Sequence, residues 1–234
     1  FHRAQRDLDV VRLALPDGHA QRHTYAGLQD AGLAFDGYEE KTYVRRPASG
    51  IPGLEIKVLR PQDMSQLVAM GTFDAAVTGI DWVTDHLARF PSSPVEVAVD
   101  LGRSRYRIGP VVDAEFPADT TAEALTIWNN LGRPVRIASE YPALAEKFAR
   151  DFHLDVATII PINGASEGFV PEDADILIEG SETGSSIRAN ALKMLDPFME
   201  STNCLIVRKQ PVTSATAVLD DLVSKLRASV AATA

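Results

Sequence analysis

The stretch ADILIEGSETGSSIRANAL, residues 174–192, sets the frame for the whole chain. It opens as an apolar, β-branched run and carries two carboxylates, Asp175 and Glu179. A run of seven residues follows, Gly180, Ser181, Glu182, Thr183, Gly184, Ser185 and Ser186, and then a segment with helical character. A tight turn needs one or two such residues, so the length of the run asks for another explanation. Side chains two apart on a strand share a face, so Asp175, Leu177 and Glu179 are expected on one side, with Glu179 at the strand end. A carboxylate there suits sugar hydroxyls or a hard cation. The loop after it offers backbone N–H groups and hydroxyls, Gly184 permits a positive φ, and a helix N-terminus favours an anion. The same pattern also suits an ordinary capped turn, with Ser185 or Ser186 as N-cap, and local pattern alone leaves both open.

Working outward, strands and helices alternate. Strands are expected at 10–15, 38–46, 54–60, 73–79, 95–102, 107–113, 134–139, 156–162, 174–179 and 203–209. Helices are expected at 24–33, 64–70, 81–89, 122–131, 143–152, 186–195 and 219–231. This alternation defines an α/β protein with mostly parallel sheets. Some ten strands in 234 residues suit two sheets better than one. The expected organisation is a two-domain, periplasmic-binding-protein-like architecture. A discontinuous domain I spans 1–105 plus 196–234, and an inserted domain II spans 106–195, with a ligand cleft between them.

Composition narrows the function. Net charge is −9, which argues against a nucleic-acid partner while leaving room for a local anion cradle. No apolar run reaches the length of a membrane span. The one cysteine, Cys204, lies in the apolar run NCLIV and is expected as a core residue in a reducing, cytoplasmic setting. The N-terminal FHRAQRDLDVV has charges but no apolar leader core. His2, His23, His86 and His153 share no metal-ligand spacing, and Trp82 and Trp128 are expected in core or interface.

Four ordered segments carry a resemblance. DILIEGSETGSSIRANAL (175–192) is similar to the phosphoribosyl-pyrophosphate loop of ATP phosphoribosyltransferases, approximately Asp-Ala-Ile-x-Asp-x-x-x-Thr-Gly-x-Thr-Leu. VRLALPDGH (11–19) resembles that family's first strand and its Pro-Lys-Gly-Arg turn. LRPQDMSQLVAMGTFDAAVTGIDWV (59–83) and RIASEYPALAEKF (136–148) resemble two further family segments. The resemblance covers most of the chain and implies transfer of a phosphoribosyl group to N1 of ATP, with pyrophosphate leaving and Mg²⁺ as cofactor. It implies Asp175 and Glu179 as catalytic residues and metal ligands, and Gly180, Ser181, Glu182, Thr183, Gly184, Ser185 and Ser186 as the phosphoribosyl-pyrophosphate site. Asp17, Gly18, His19, Arg60, Gly79, Asp81, Arg103 and Glu167 are the expected nucleotide-side residues. A homodimer core, working with a regulatory subunit related to histidyl-tRNA synthetase, is the implied assembly.

Two departures stand out. Glu179 replaces the usual Asp, and Asp17 and His19 replace the Lys and Arg of the first turn. A carboxylate in place of Lys beside a polyanion costs affinity. Arg103, Arg105 and Arg107, two apart in an extended segment, would present one basic face that offsets this; a solvated strand end is the other reading and stands slightly ahead. Two other readings stay open: a catalytically weakened homologue that binds nucleotide or phosphoribosyl ligands, and a two-lobed solute-binding module.

Overall fold

The structure, a computed structural model, describes residues 5–234; His2 lies outside them. The chain divides into two compact units. One comprises residues 1–83, 90–104 and 202–234, the other residues 84–89 and 105–201.

The first unit is a five-stranded sheet, built from β1 (Val11–Pro16), β2 (Leu54–Leu59), β3 (Ala75–Gly79), β4 (Val95–Asp100) and β11 (Asn203–Arg208) in the order β2-β1-β3-β11-β4. β2 and β3 pair parallel to β1, joined through α1 (Gln21–Asp30) and α2 (Met64–Ala69). The two crossovers step along the sheet in opposite directions. Right-handed connections therefore place α1 and α2 on opposite faces. Alternate residues of β1 and β2, among them Leu13, Leu15, Ile56 and Val58, bury against Leu28 of α1 and against Leu219, Leu222 and Leu226 of α7 (Thr216–Thr233). Cys204 is buried in β11, and burial pushes its thiol pKa up, as expected of a core cysteine.

The second unit holds a six-stranded sheet. Its strands are β5 (Tyr106–Asp113), β6 (Val135–Ser139), β7 (Ala157–Pro161), β8 (Ile176–Ser181), β9 (Leu192–Met194) and β10 (Met199–Ser201). The order is β10-β5-β8-β6-β7, with β9 also paired to β5. Ile176, Leu177 and Ile178 of β8 are all buried, as a strand covered on both faces requires. The remaining helices are α3 (Ile80–Arg89), α4 (Thr121–Asn129), α5 (Pro142–Asp151) and α6 (Ser185–Ala189). Trp128 of α4 is buried and stacks on Phe116.

Four expectations need revision. Both sheets are mixed: pairs joined by a helix are parallel, while β11 and β5 pair antiparallel with their neighbours. These are the strands on which the chain passes between units, so no helical crossover constrains their direction. Second, residues 38–46 form no strand; they lie along the β2 edge, where Arg45 accepts from Val58 N at 2.9 Å and Asp36 bridges Ala48. Their alternation records exposure along an edge, not a ladder. Third, the helix expected over 186–195 stops at Ala189, and β9 follows at once. Ala191 takes a positive φ of 54°, which turns the chain out of the helix and lets Leu192 pair with Asp113. Fourth, residues 196–201 belong to the second unit, because β10 extends its sheet. Gly109 of β5 permits this return: a Cβ there would sit 2.9 Å from the Pro197 Cα.

Candidate functional site

In the second unit, β8 delivers Glu179 and runs directly into the small-residue loop. Gly184 holds φ at 75° and precedes α6. Its N–H donates to Ser181 Oγ at 2.7 Å, Ser185 N–H donates to Thr183 Oγ1 at 3.4 Å, and the Thr183 and Ser185 hydroxyls lie 2.6 Å apart. Arg188 Nη1 reaches back to the Thr183 carbonyl at 3.1 Å. The loop is thus a closed ring of hydroxyls and amides with a guanidinium at its rim. Glu182 is exposed on it. Gly180 is still in strand and lies close to Ile108 and Tyr141.

Around the loop sits an acidic cluster. Glu179 accepts from Gly180 N–H at 3.0 Å and from the Ser166 hydroxyl. Ser166 also lies 3.3 Å from Glu167 Oε2, and the Ser186 hydroxyl donates to Glu167. Glu140 accepts from Gly164 N–H at 2.9 Å. Burial, with Glu140 and Glu167 nearby, pushes the Glu179 pKa up to about 7, although Ser166 and Gly180 oppose the rise. Glu167 moves the other way, mainly through the Ser186 hydroxyl. Glu167 therefore sits beside the loop residues, in contact with Ser166 and Ser186.

Asp175 is not part of this cluster. It precedes the first residue of β8, four residues from Glu179 and about 13 Å along an extended strand. Arg133 grips it with two bonds of 2.8 Å, and Arg136 adds its side chain and its backbone N–H, the latter at 2.8 Å. These donors hold its carboxyl well below the usual carboxylate range despite partial burial. Asp175 is an ion-pair anchor between β6 and β8. The expectation that it shares a metal with Glu179 fails, because the same-face rule fixes side but not distance along the strand.

A hard-cation site at the loop has suitable donors in Glu179 and Glu167. Both are carboxylates, both touch one hydroxyl, and their mutual repulsion is the kind a divalent cation offsets.

In the first unit, β1 ends at Pro16 and Gly18 turns the chain at φ 69°. Asp17 is largely buried there. Its Oδ2 accepts from Arg45 Nη1 at 2.7 Å and lies 3.8 Å from Arg60 Nε, while Oδ1 is buried without a hydrogen-bond partner. Both arginines keep more than half of their side chains exposed, at 52% and 66%. The charge reversal at Asp17 is therefore answered locally, by the guanidiniums of Arg45 and Arg60 at the C-terminal end of β1. Arg103, Arg105 and Arg107 fit the solvated strand-end reading better than a single basic face. Arg103 pairs with Asp30, Arg105 pairs with Glu200 at 2.9 Å, and Arg107 is exposed on β5. His19 is exposed, its ring edge-on to His23 at 6.1 Å. Gly79 closes β3 opposite Asn203, and Asp81 is buried in the first turn of α3. Sequence reasoning missed Arg45, whose segment read as a strand, and Ser166, whose link to Glu179 spans thirteen residues.

A carboxylate near a strand end runs here into a hydroxyl-rich loop with a left-handed glycine, on a two-unit α/β scaffold. The comparisons make this specific. The family model for HisG, ATP phosphoribosyltransferase, matches residues 60–228. A Mesorhizobium japonicum ATP phosphoribosyltransferase is 31% identical over 234 residues, covering 94% of this chain and 100% of that protein. The Chlorobaculum parvum enzyme is 32% identical, covering 86% of this chain and 64% of the relative. The chain belongs to the ATP phosphoribosyltransferase family, whose reaction opens histidine biosynthesis.

Among solved structures, the ATP phosphoribosyl transferase (HisG:HisZ) complex from Thermotoga maritima aligns with TM-score 0.71 at 16% identity, covering 94% of this chain and 98% of that one. An alkanesulfonate-binding protein from Xanthomonas axonopodis pv. citri aligns with TM-score 0.56 at 8% identity, covering 96% and 74%. Both show the fold, including its kinship with solute-binding proteins.

Proposed function

We propose that the loop Gly180–Ser186 holds the 5-phosphate of phosphoribosyl pyrophosphate, and that Glu179 positions the ribose for attack by N1 of ATP. The supporting observation is the Gly184 turn: a left-handed residue that closes a ring of three hydroxyls directly after a half-buried carboxylate. In this reading Glu179 and Glu167 hold Mg²⁺, and Asp175 does not. When bound, the cation supplies positive charge to the departing pyrophosphate. The chain's own residues bind the phosphate, orient the ribose hydroxyls and keep water from the loop floor. Such transfer relies on positioning and charge stabilisation more than on a strong base.

On the first unit, Arg45 and Arg60 take the role of the absent turn lysine and meet the nucleotide's phosphates. Asp17 holds both guanidiniums in place. His19, Gly79 and Asp81 belong to the same nucleotide side. The protein works in the cytoplasm as a homodimer core. A HisZ-like regulatory subunit, related to histidyl-tRNA synthetase, is its partner; the Thermotoga relative's complex supports this assignment. No described helix is long and apolar enough to cross a membrane.

The test is pyrophosphate release from phosphoribosyl pyrophosphate and Mg²⁺, with and without ATP. ATP-dependent release that survives in Asp175→Asn and falls in Glu179→Ala supports the assignment. Equal loss in both variants returns Asp175 to the catalytic set.

A further inference from the structure

The first sheet has a face that its helices leave open. Arg12, Glu55 and Lys57 alternate with the buried residues of β1 and β2, so they project away from α1 and α7. α2 crosses to that side but packs against β3 and β11, one and two strands further in from β1. What remains over β1 and the edge strand β2 is a pocket of about 460 Å³. Arg12, Arg46, Lys57, Glu55, Phe73 and Ser49 are among its lining residues.

Its chemistry is one-sided. Three cations face one carboxylate, in a chain whose net charge is −9. Arg12 is fixed in place: its Nη1 donates to the Thr72 carbonyl at 2.9 Å, and its Cζ lies 4.4 Å from the centre of the Phe73 ring. That contact orients the guanidinium on an aromatic face. Burial, then the charges of Arg12 and Arg46, lowers the Lys57 pKa, with Glu55 opposing. Gathering like charges costs free energy that a bound anion recovers. The Ser49 hydroxyl is already given to the Leu54 and Ile51 carbonyls, so recognition falls to the cations.

We propose that this pocket is a second anion site, taking a small phosphorylated ligand that carries at least two negative charges. The volume suits a ligand of metabolite size, and the surplus of two positive charges matches a phosphate ester or pyrophosphate. Arg12 lies near the start of β1, five residues before Asp17 and roughly 16 Å along the strand, so it is separate from the Arg45–Asp17–Arg60 group. The inference is independent of the catalytic assignment.

The probe is inorganic pyrophosphate. By calorimetry, the full chain should show two classes of binding event, and Gly184→Val should retain one of them. The double variant Arg46→Ser/Lys57→Gln should lose that retained event, with at least tenfold weaker binding, while transferase turnover stays unchanged. A second readout needs no variant: acylation of Lys57, followed by mass spectrometry, should slow at least threefold with pyrophosphate in both wild type and Gly184→Val. Unchanged Lys57 labelling, or wild-type pyrophosphate binding in the double variant, overturns the proposal.

Discussion

Asp175 immediately precedes β8 and Glu179 lies within it, four residues on, and the two have opposite environments. Asp175 meets two arginines and a backbone N–H, which keep it charged. Glu179 is half-buried beside two acids, which together raise its pKa to about 7, while a hydroxyl and one backbone N–H oppose the rise. Two carboxylates in one motif thus divide into an anchor and a reactive-site residue. The division follows from which end of the strand each occupies. A parallel strand in such a fold presents its C-terminal end to ligands and its N-terminal end to the scaffold. A half-buried carboxyl with a raised pKa beside a small-residue loop is the candidate for the functional end.

The contrast can be broken experimentally. The largest effect is expected at the loop itself: Gly184→Val places a β-branched residue at φ 75° and should weaken phosphoribosyl pyrophosphate at least hundredfold by calorimetry. Unchanged affinity would remove the cradle from the site. Next, Glu179→Gln should lower kcat/KM for phosphoribosyl pyrophosphate by about 10²-fold at pH 8, on the order of 3 kcal/mol of transition-state binding.

The wild-type pH profile sharpens the same point. Glu179 has its pKa raised on folding, from 4.5 to about 7. Its neutral form therefore stabilises the fold fully below about pH 4.5, and that contribution is lost as pH rises through about 7. Ligand binding, which needs the carboxylate, should rise over the same interval. A kcat/KM profile flat between pH 5.5 and 8 would contradict this.

A smaller effect is expected on the first unit. Arg45→Ala should raise KM for ATP by about tenfold with little change in kcat, because it removes one half-exposed guanidinium and leaves Arg60. The smallest effect on activity belongs to Asp175→Asn. It should leave turnover per folded molecule near wild type while costing about 1–2 kcal/mol of stability, since both arginines are partly solvated. Asp175 has its pKa lowered on folding, so its contribution is present above the ordinary carboxylate range and is lost as pH falls below it. Urea titration at pH 7 and pH 3 should show the variant's deficit shrinking in acid.

Much of the fold was legible because hydrophobic period and turn residues are local signals. VRLALP, LEIKVL and NCLIVR became β1, β2 and β11 nearly as bounded. The errors fell where local pattern competes with pairing. Residues 38–46 alternate like a strand yet lack a ladder partner, and LKM at 192–194 continues a helical pattern yet pairs with β5. The candidate loop was legible as a motif, since its Ser, Thr and Gly types and their order carry its chemistry. The roles of the charges around it were not, because an ion pair depends on residues brought together from distant segments. Asp175 looked like a ligand until Arg133 and Arg136 closed on it. Asp17 looked like a lost phosphate contact until Arg45 and Arg60 converged on it.

By itself the sequence determined an α/β chain, a small-residue loop at 180–186 and a resemblance to a phosphoribosyl-transfer family, because each is written in short-range order and residue type. Tertiary structure alone decided which carboxylate has its pKa raised and which is clamped by arginines, and which arginines answer a reversed charge. It also decided where a sheet face stays open beside Arg12, Arg46 and Lys57. Those outcomes depend on burial and on distances between residues far apart in the chain, and no local pattern encodes them.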